Sequence, residues 1–118
     1  MHARSAYAPD RGDIVLVQLS PQVGHKMAGP HRCIVLSEAR FSVATGYAMV
    51  CPITIKIRGS PFEVPIPRGL KAVGCVVASE ARAIDYLARN ARLMERAPAF
   101  LSEAVQAIAC AIIGCAGD

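Results

Sequence analysis

The residues best suited to chemistry lie in one stretch, residues 24–37, which reads Gly-His-Lys-Met-Ala-Gly-Pro-His-Arg-Cys-Ile-Val-Leu-Ser. Two imidazoles and two cations fall within eight of these residues: His25, Lys26, His31 and Arg32. Histidine exchanges a proton near neutral pH, and cations bind phosphate. The glycine-rich first half predicts a loop, and the apolar run after Arg32 predicts a buried strand. The stretch therefore indicates proton transfer or phosphate binding beside a rigid strand.

Length and charge limit the class of protein. The chain has 118 residues, which fits one domain, with residues 1–9 expected as a flexible arm. Its net charge of +4 and pI of about 9.0 favour an acidic partner, either nucleic acid or an acidic protein. No apolar run approaches the roughly 18 residues of a membrane span, and the polar N-terminus lacks the apolar core of a signal peptide. These features predict a cytoplasmic protein without membrane contact.

The cysteines give no metal signature. There are five, an odd number, and no pair has Cys-x-x-Cys spacing. Cys33, Cys51 and Cys75 lie in apolar runs and are interpreted as small core residues. We therefore predict no metal site and no cofactor.

The elements that must position the polar stretch are mostly short strands. Apolar runs predict strands over residues 14–19, 32–37, 47–55, 62–66 and 74–78. Residues 83–94 fit either a helix or a twisted strand. After Pro98, apolar residues recur at helical spacing, and Gly114 ends the pattern. The predicted fold is mainly β: a small, strongly bent barrel with a C-terminal helix.

The order of short motifs resembles the MazF/PemK-like toxins of toxin–antitoxin systems. The resemblance runs from Pro9 to about residue 113, and no single motif is decisive. It is carried by the ordered set of Gly24-His25, Ile34-Val35-Leu36-Ser37, Cys51-Pro52-Ile53-Thr54, Gly59-Ser60-Pro61-Phe62-Glu63-Val64 and Leu93-Met94-Glu95-Arg96.

The resemblance implies an SH3-like (PemK/CcdB-type) barrel, a homodimer and an acidic cognate antitoxin. It also implies sequence-selective, metal-independent cleavage of single-stranded RNA through a 2′,3′-cyclic phosphate. His25 matches the loop histidine of the family, and Thr54 matches its threonine. The family arginine falls on His31 in an ungapped alignment and on Arg32 after a one-residue slip. Since such a slip moves a strand side chain to the other face, both assignments stay open.

Further cations complete the predicted RNA site. Lys56 and Arg58 lie on one connection, and Arg68 and Lys71 lie on the next. Together with Lys26 they are predicted to bind backbone phosphates.

One alternative function comes from a different class. A non-enzymatic toxin on the same barrel, like the gyrase poisons, needs no catalytic histidine. A diverged, weakly active family member is also consistent with the sequence, because Ala78-Ser79-Glu80 stands where many relatives have an Asp-Gln pair.

Overall fold

The computed structural model describes residues 7–18 and 30–115 of the chain. The strands are β1 (Asp13–Gln18), β2 (Pro30–Val35), β3 (Tyr47–Thr54), β4 (Glu63–Pro65), β5 (Cys75–Val77), β6 (Arg82–Asp85) and β7 (Arg92–Arg96). The helices are α1 (Ala39–Thr45) and α2 (Ala99–Ile113), and a 3₁₀ turn spans Ala78–Glu80. Neither α-helix of the described part has the length and apolar content needed to cross a membrane.

The described strands form one antiparallel sheet. The order is β4-β5-β3-β2-β1-β7, and β6 pairs with β3 outside this path. Leu16 in β1 lies opposite Arg32 in β2 and also opposite Arg92 in β7, so β1 is flanked on both sides. The predicted mainly β fold with a C-terminal helix is confirmed.

Both faces of the central strands are buried, because alternate side chains of a strand point to opposite faces. Ile14 and Ile34 are opposite one another and pack with Leu101 and Val105 of α2 in one core cluster. A second cluster uses the other face of the same strands and consists of Val15, Val17, Cys33, Val35, Ala48, Val50, Ile84 and Tyr86. The bent sheet therefore has two distinct sides, and each side chain of β2 is assigned to one of them.

Strand β3 changes its hydrogen-bonding partner near its end. Its pairing with β2 ends where Cys33 lies opposite Pro52, and its last residues pair with β5, with Ile53 opposite Val76. Proline has no N–H to donate, so it is tolerated where a ladder ends. The sequence predicted an edge or a bulge at this proline. In the structure, Pro52 lies between the part of β3 that pairs with β6 and the part that pairs with β5.

Residues 83–94, for which the sequence left helix and strand open, contribute strands β6 and β7 with a turn between them. Ile84 in β6 lies opposite Ala48 in β3, and Leu93 in β7 lies opposite Val15 in β1. These long-range pairings decide the conformation, since local spacing allowed both.

Of the residues 1–9 that the sequence predicts as a flexible arm, the structure describes residues 7–9, which contact the barrel. The Tyr7 hydroxyl donates to the buried carboxylate of Asp13, and the Ser42 hydroxyl donates to the Pro9 carbonyl at 2.7 Å. Burial, together with the bond to Asp13, raises the pKa of the Tyr7 phenol well above its usual value. Residues 7–9 are therefore anchored to the barrel.

Gly74 provides a test of the packing around the end of β3. A Cβ on Gly74 would lie 2.1 Å from the Thr54 carbonyl oxygen, and the residue has φ +112°. We expect Gly74→Ala to lower the free energy of unfolding by more than about 3 kcal/mol, because backbone must move in addition to adopting a strained dihedral. Urea denaturation measures this loss.

Gly69→Ala is the matched control. Gly69 has φ +100°, but apart from its chain neighbours no atom of the described residues lies within 4 Å of the position that a Cβ would take. Its substitution carries the dihedral strain alone, about 1–2 kcal/mol. Equal losses for the two variants would show that the contact with Thr54 does not constrain the fold.

Candidate active site

A cleft of about 330 Å³ opens beside the end of β3, where that strand leaves β2. One wall comes from β3 and the connection that follows it, and the other comes from β5 and the 3₁₀ turn. The lining residues are Pro52, Thr54, Lys56, Arg58, Ser60, Glu63, Val77, Ser79 and Glu80. The cleft therefore combines two cations, hydroxyl groups and carboxylates in one concave surface.

A hydrogen bond from the backbone two residues further along the chain orients the Thr54 hydroxyl. The Lys56 N–H donates to Thr54 Oγ1 at 3.0 Å. A hydroxyl has one proton to donate and two lone pairs to accept. Since this bond uses a lone pair, the Thr54 proton is left to donate to an anion in the cleft.

The connection that carries Arg58 is shaped by a carboxylate. Glu63 Oε1 accepts from the N–H groups of Arg58, Gly59 and Ser60 at 3.2, 2.9 and 3.2 Å. Its Oε2 also accepts from the Arg58 N–H, at 3.0 Å. Hydrogen bonds to an ionised group are stronger than neutral ones. The Glu63 carboxylate therefore fixes the conformation of this connection, and its negative charge is satisfied by backbone N–H donors.

The opposite wall is tied to the sheet by two contacts. The Ala78 N–H donates to the Phe62 carbonyl at 2.9 Å, and the buried Cys51 thiol lies 3.9 Å from the Ala78 carbonyl. These contacts place Ser79 and Glu80 across the cleft from Lys56 and Arg58. Among the described residues, no hydrogen bond or ion pair engages the Glu80 side chain.

The structure brings part of the predicted site together. Thr54, Lys56 and Arg58 converge on the cleft. Arg68 and Lys71 lie on the connection between β4 and β5, where the Lys71 N–H donates to Glu95 at 2.9 Å, and they do not line the cleft. His25 and Lys26 lie outside the described residues. The roles given to these residues stay predictions.

His31 and Arg32 lie on opposite faces of β2. Cys33 is directly opposite Pro52, a cleft residue, and strand alternation gives His31 the same face as Cys33. Arg32 is opposite Leu16 and shares the other face with Ile34. Both side chains are exposed, and neither lines the cleft. The register therefore places His31, and not Arg32, on the cleft side of the sheet.

Sequence reasoning missed several lining residues as site candidates: Ser60, Glu63, Val77, Ser79 and Glu80. Ser60 and Glu63 belong to the motif Gly59-Ser60-Pro61-Phe62-Glu63-Val64, which carries the family resemblance. Ser79 and Glu80 were noted only as a departure from relatives. Both motifs were visible in the sequence. That their residues lie in the same cleft as Thr54 depends on long-range pairing between strands, which the sequence pattern does not show.

The fold and the cleft together define a class: a small, mainly β barrel whose cleft presents Lys56, Arg58 and the Thr54 hydroxyl to an anionic, phosphate-bearing ligand. The family model described as "PemK-like, MazF-like toxin of type II toxin-antitoxin system" matches residues 10–113. The chain therefore belongs to the PemK/MazF-like toxin family, as its motifs predicted.

Relatives and solved structures agree with this assignment. The endoribonuclease toxin MazF of Escherichia coli K12 is 34% identical over 87 residues, which is 74% of this chain and 78% of the relative. The endoribonuclease PemK of Escherichia coli is 32% identical over 93 residues, covering 75% and 70% of the two chains. A MazE–MazF crystal structure (Form-II) from Deinococcus radiodurans superposes with a TM-score of 0.88 at 34% identity, covering 94% of this chain and all of that one. These relatives favour an endoribonuclease toxin over the non-enzymatic alternative.

Glu63 is expected to matter for the cleft beyond its effect on stability. Glu63→Ala removes the acceptor of three backbone N–H groups and should lower the free energy of unfolding by about 1–3 kcal/mol. Because Arg58 then loses its fixed position, RNA cleavage should fall by roughly 10²-fold. Denaturation and cleavage rates of the same preparation measure the two effects.

Glu95→Ala is the matched control, since Glu95 accepts from the N–H groups of Lys71 and Ala72 at 2.9 and 2.8 Å on a connection away from the cleft. It should cost similar stability and leave cleavage near the parent rate. A comparable fall in cleavage for both variants would contradict a specific role for Glu63.

Proposed function

We propose that this protein is a sequence-selective, metal-independent endoribonuclease that cleaves single-stranded RNA in the cytoplasm, as the toxin of a toxin–antitoxin pair. The observation that carries the proposal is the convergence of Thr54, Lys56 and Arg58 in one cleft of a MazF-like barrel. A flexible single strand can place an unstacked nucleotide in such a concave site.

The cleft supplies the electrostatic part of the reaction. When the 2′-hydroxyl attacks the neighbouring phosphorus, negative charge accumulates on the phosphate oxygens. Lys56 and Arg58 stabilise that charge, and Thr54 donates its hydroxyl proton to one of the oxygens. The products are a 2′,3′-cyclic phosphate and a 5′-hydroxyl. Groups that are fixed before the reaction contribute without reorganising during it.

Proton transfer needs a base for the 2′-hydroxyl and an acid for the leaving 5′-oxygen. Histidine can fill either role near neutral pH. His25 and His31 are the candidates in this chain, and the register of β2 favours His31 over Arg32 for the cleft side. Arg32 would then act on phosphate from the strand end or have no part in the chemistry.

Cleavage of a long single-stranded RNA in the presence of EDTA tests the proposal. The parent protein should cut at a short motif and leave 2′,3′-cyclic phosphate ends. Thr54→Val and Arg58→Ala should each slow cleavage by roughly 10²-fold or more, because each removes a donor to the developing charge. Products are identified by sequencing and end-group analysis.

The neighbouring pair on β2 provides the internal comparison. His31→Ala should slow cleavage by roughly 10²–10⁴-fold, the range for a catalytic acid or base, and Arg32→Ala should slow it less. A folded parent protein that leaves the RNA intact would refute the function. Activity lost only in Arg32→Ala would refute the assignment of His31.

We further propose a homodimer, with α2 at the interface. Beyond its buried stripe, α2 exposes further apolar side chains at its C-terminal end: Ile112 is 50% exposed and Ile113 is 73% exposed in the single chain. Together with Met49, Ala78, Ser79, Ala81 and Ala109 they border an apolar groove of about 170 Å³. A small barrel gains stability by covering such a surface with a second copy.

Light scattering tests the dimer. Ile113→Glu should shift the protein toward monomer, because the charge would be desolvated at the interface. Val43→Glu, at an equally exposed apolar position on α1 (72%), is the matched control and should leave the dimer intact. A monomeric parent protein at micromolar concentration, or the same effect from both variants, contradicts the proposal.

The cognate antitoxin is proposed to be acidic. Its carboxylates would bind the cations that serve RNA, Lys56 and Arg58, and the exposed apolar residues Ile55 and Ile57 beside them would contact its apolar side chains. A segment that folds on binding can cover such a surface and compete with RNA. Cleavage that continues undiminished with the antitoxin bound would exclude competition.

A further inference from the structure

The C-terminal end of α2 carries two cysteines in a defined turn. Gly114 has φ +85°, and the N–H groups of Gly114 and Cys115 both donate to the Cys110 carbonyl, at 2.8 and 2.9 Å. The bond from Cys115 to Cys110 is the six-to-one bond of a Schellman-type helix end. In this motif the side chain after the glycine returns to the side chain at the start of the turn, where a contact usually forms.

Here both of these positions are cysteines. The side chains of Cys110 and Cys115 thus stand at the two positions that this turn brings together, and we call them the C-terminal thiol pair. Cys115 is exposed and Cys110 is half-buried, so a small reagent reaches the pair from solvent. The remaining cysteines, Cys33, Cys51 and Cys75, are buried.

We propose that the C-terminal thiol pair is a modification site that forms a reversible intramolecular disulfide with low-molecular-weight disulfides. The Cys115 thiolate attacks one sulfur of such a disulfide, forming a mixed disulfide and releasing one thiol. The Cys110 thiolate then attacks the Cys115 sulfur and releases the second thiol. The protein dithiol is oxidised, and the reagent is reduced to two thiols.

The geometry favours the second step. The bond from the Cys115 N–H to the Cys110 carbonyl holds the two residues at the ends of one turn, and a turn of this kind can bring Cα atoms within the span of a disulfide. The intramolecular attack therefore competes well with a second reagent molecule. The neighbouring Cys110 side chain also raises the pKa of the Cys115 thiol, so the first step is slow at neutral pH and faster at higher pH.

The disulfide would constrain residues that border the apolar groove. It closes a ring through residues 110–115, which contains Ile112 and Ile113 of the apolar groove. Ser79 borders both this groove and the RNA cleft. Oxidation therefore holds the last turn of α2 in its helical form at the edge of the apolar groove.

Incubation of the native protein with glutathione disulfide tests the proposal. Trypsin cuts after Arg96, so residues 97–118 form one peptide that contains Cys110 and Cys115 and no other cysteine. After maleimide blocking, this peptide should lack both the maleimide and glutathione and weigh less by the two thiol hydrogens. Dithiothreitol should restore the reactive thiols.

The variants make the result decisive. Cys110→Ser should stop the reaction at the glutathione adduct on Cys115, and Cys115→Ser should leave Cys110 largely unmodified. The internal controls are Cys33 and Cys51, whose thiol pKa values burial raises to about 11 and about 12, and they should stay reduced. A stable glutathione adduct on the parent Cys115, or a disulfide between two chains through Cys115, overturns the proposal. The readout is independent of RNA cleavage, so it stands apart from the proposed function.

Discussion

The change of partner in strand β3 is the constraint on which the site depends. The strand pairs with β6 over residues 47–50, with β2 over residues 50–52 and with β5 over residues 53–54, so Pro52 lies between its pairings with β6 and β5. Proline ends the ladder without leaving an unpaired N–H, since it has none. Gly74 allows the backbone before β5 to approach the Thr54 carbonyl closely, because a side chain would collide with that oxygen.

The second condition is that the cations of the cleft stay available. A carboxylate beside Lys56 and Arg58 would ordinarily neutralise them and leave little attraction for phosphate. Glu63 instead accepts from backbone N–H groups at the turn, and the ion pairs of the described residues involve neither Lys56 nor Arg58. The same carboxylate thus fixes the loop and leaves its side-chain charges exposed to a ligand.

Much of the fold could be predicted from local patterns. Apolar runs located β3, β4 and β5 within a residue or two, and the spacing of Leu101 and Val105 with the glycine after Ile113 located α2. Residues 83–94 could not be assigned, because their strand conformation comes from pairing with β3 and β1. For the same reason the sequence identified the β3 side of the cleft and missed Ser79 and Glu80 as lining residues. Their approach depends on the turn after β5, which no local pattern encodes.

The choice between His31 and Arg32 for the position of the family arginine shows what strand register adds to a sequence motif. By sequence alone, Arg32 was the proposed residue and His31 its possible substitute, separated by a one-residue slip. The pairing of Cys33 with Pro52 removes that freedom, because two neighbours on one strand cannot both face the same side. A histidine on the cleft side differs from an arginine in kind: it can accept a proton as well as donate one, whereas a guanidinium only donates. If His31 serves the cleft, phosphate stabilisation must rest more heavily on Lys56 and Arg58, which are the permanent cations that the structure places there.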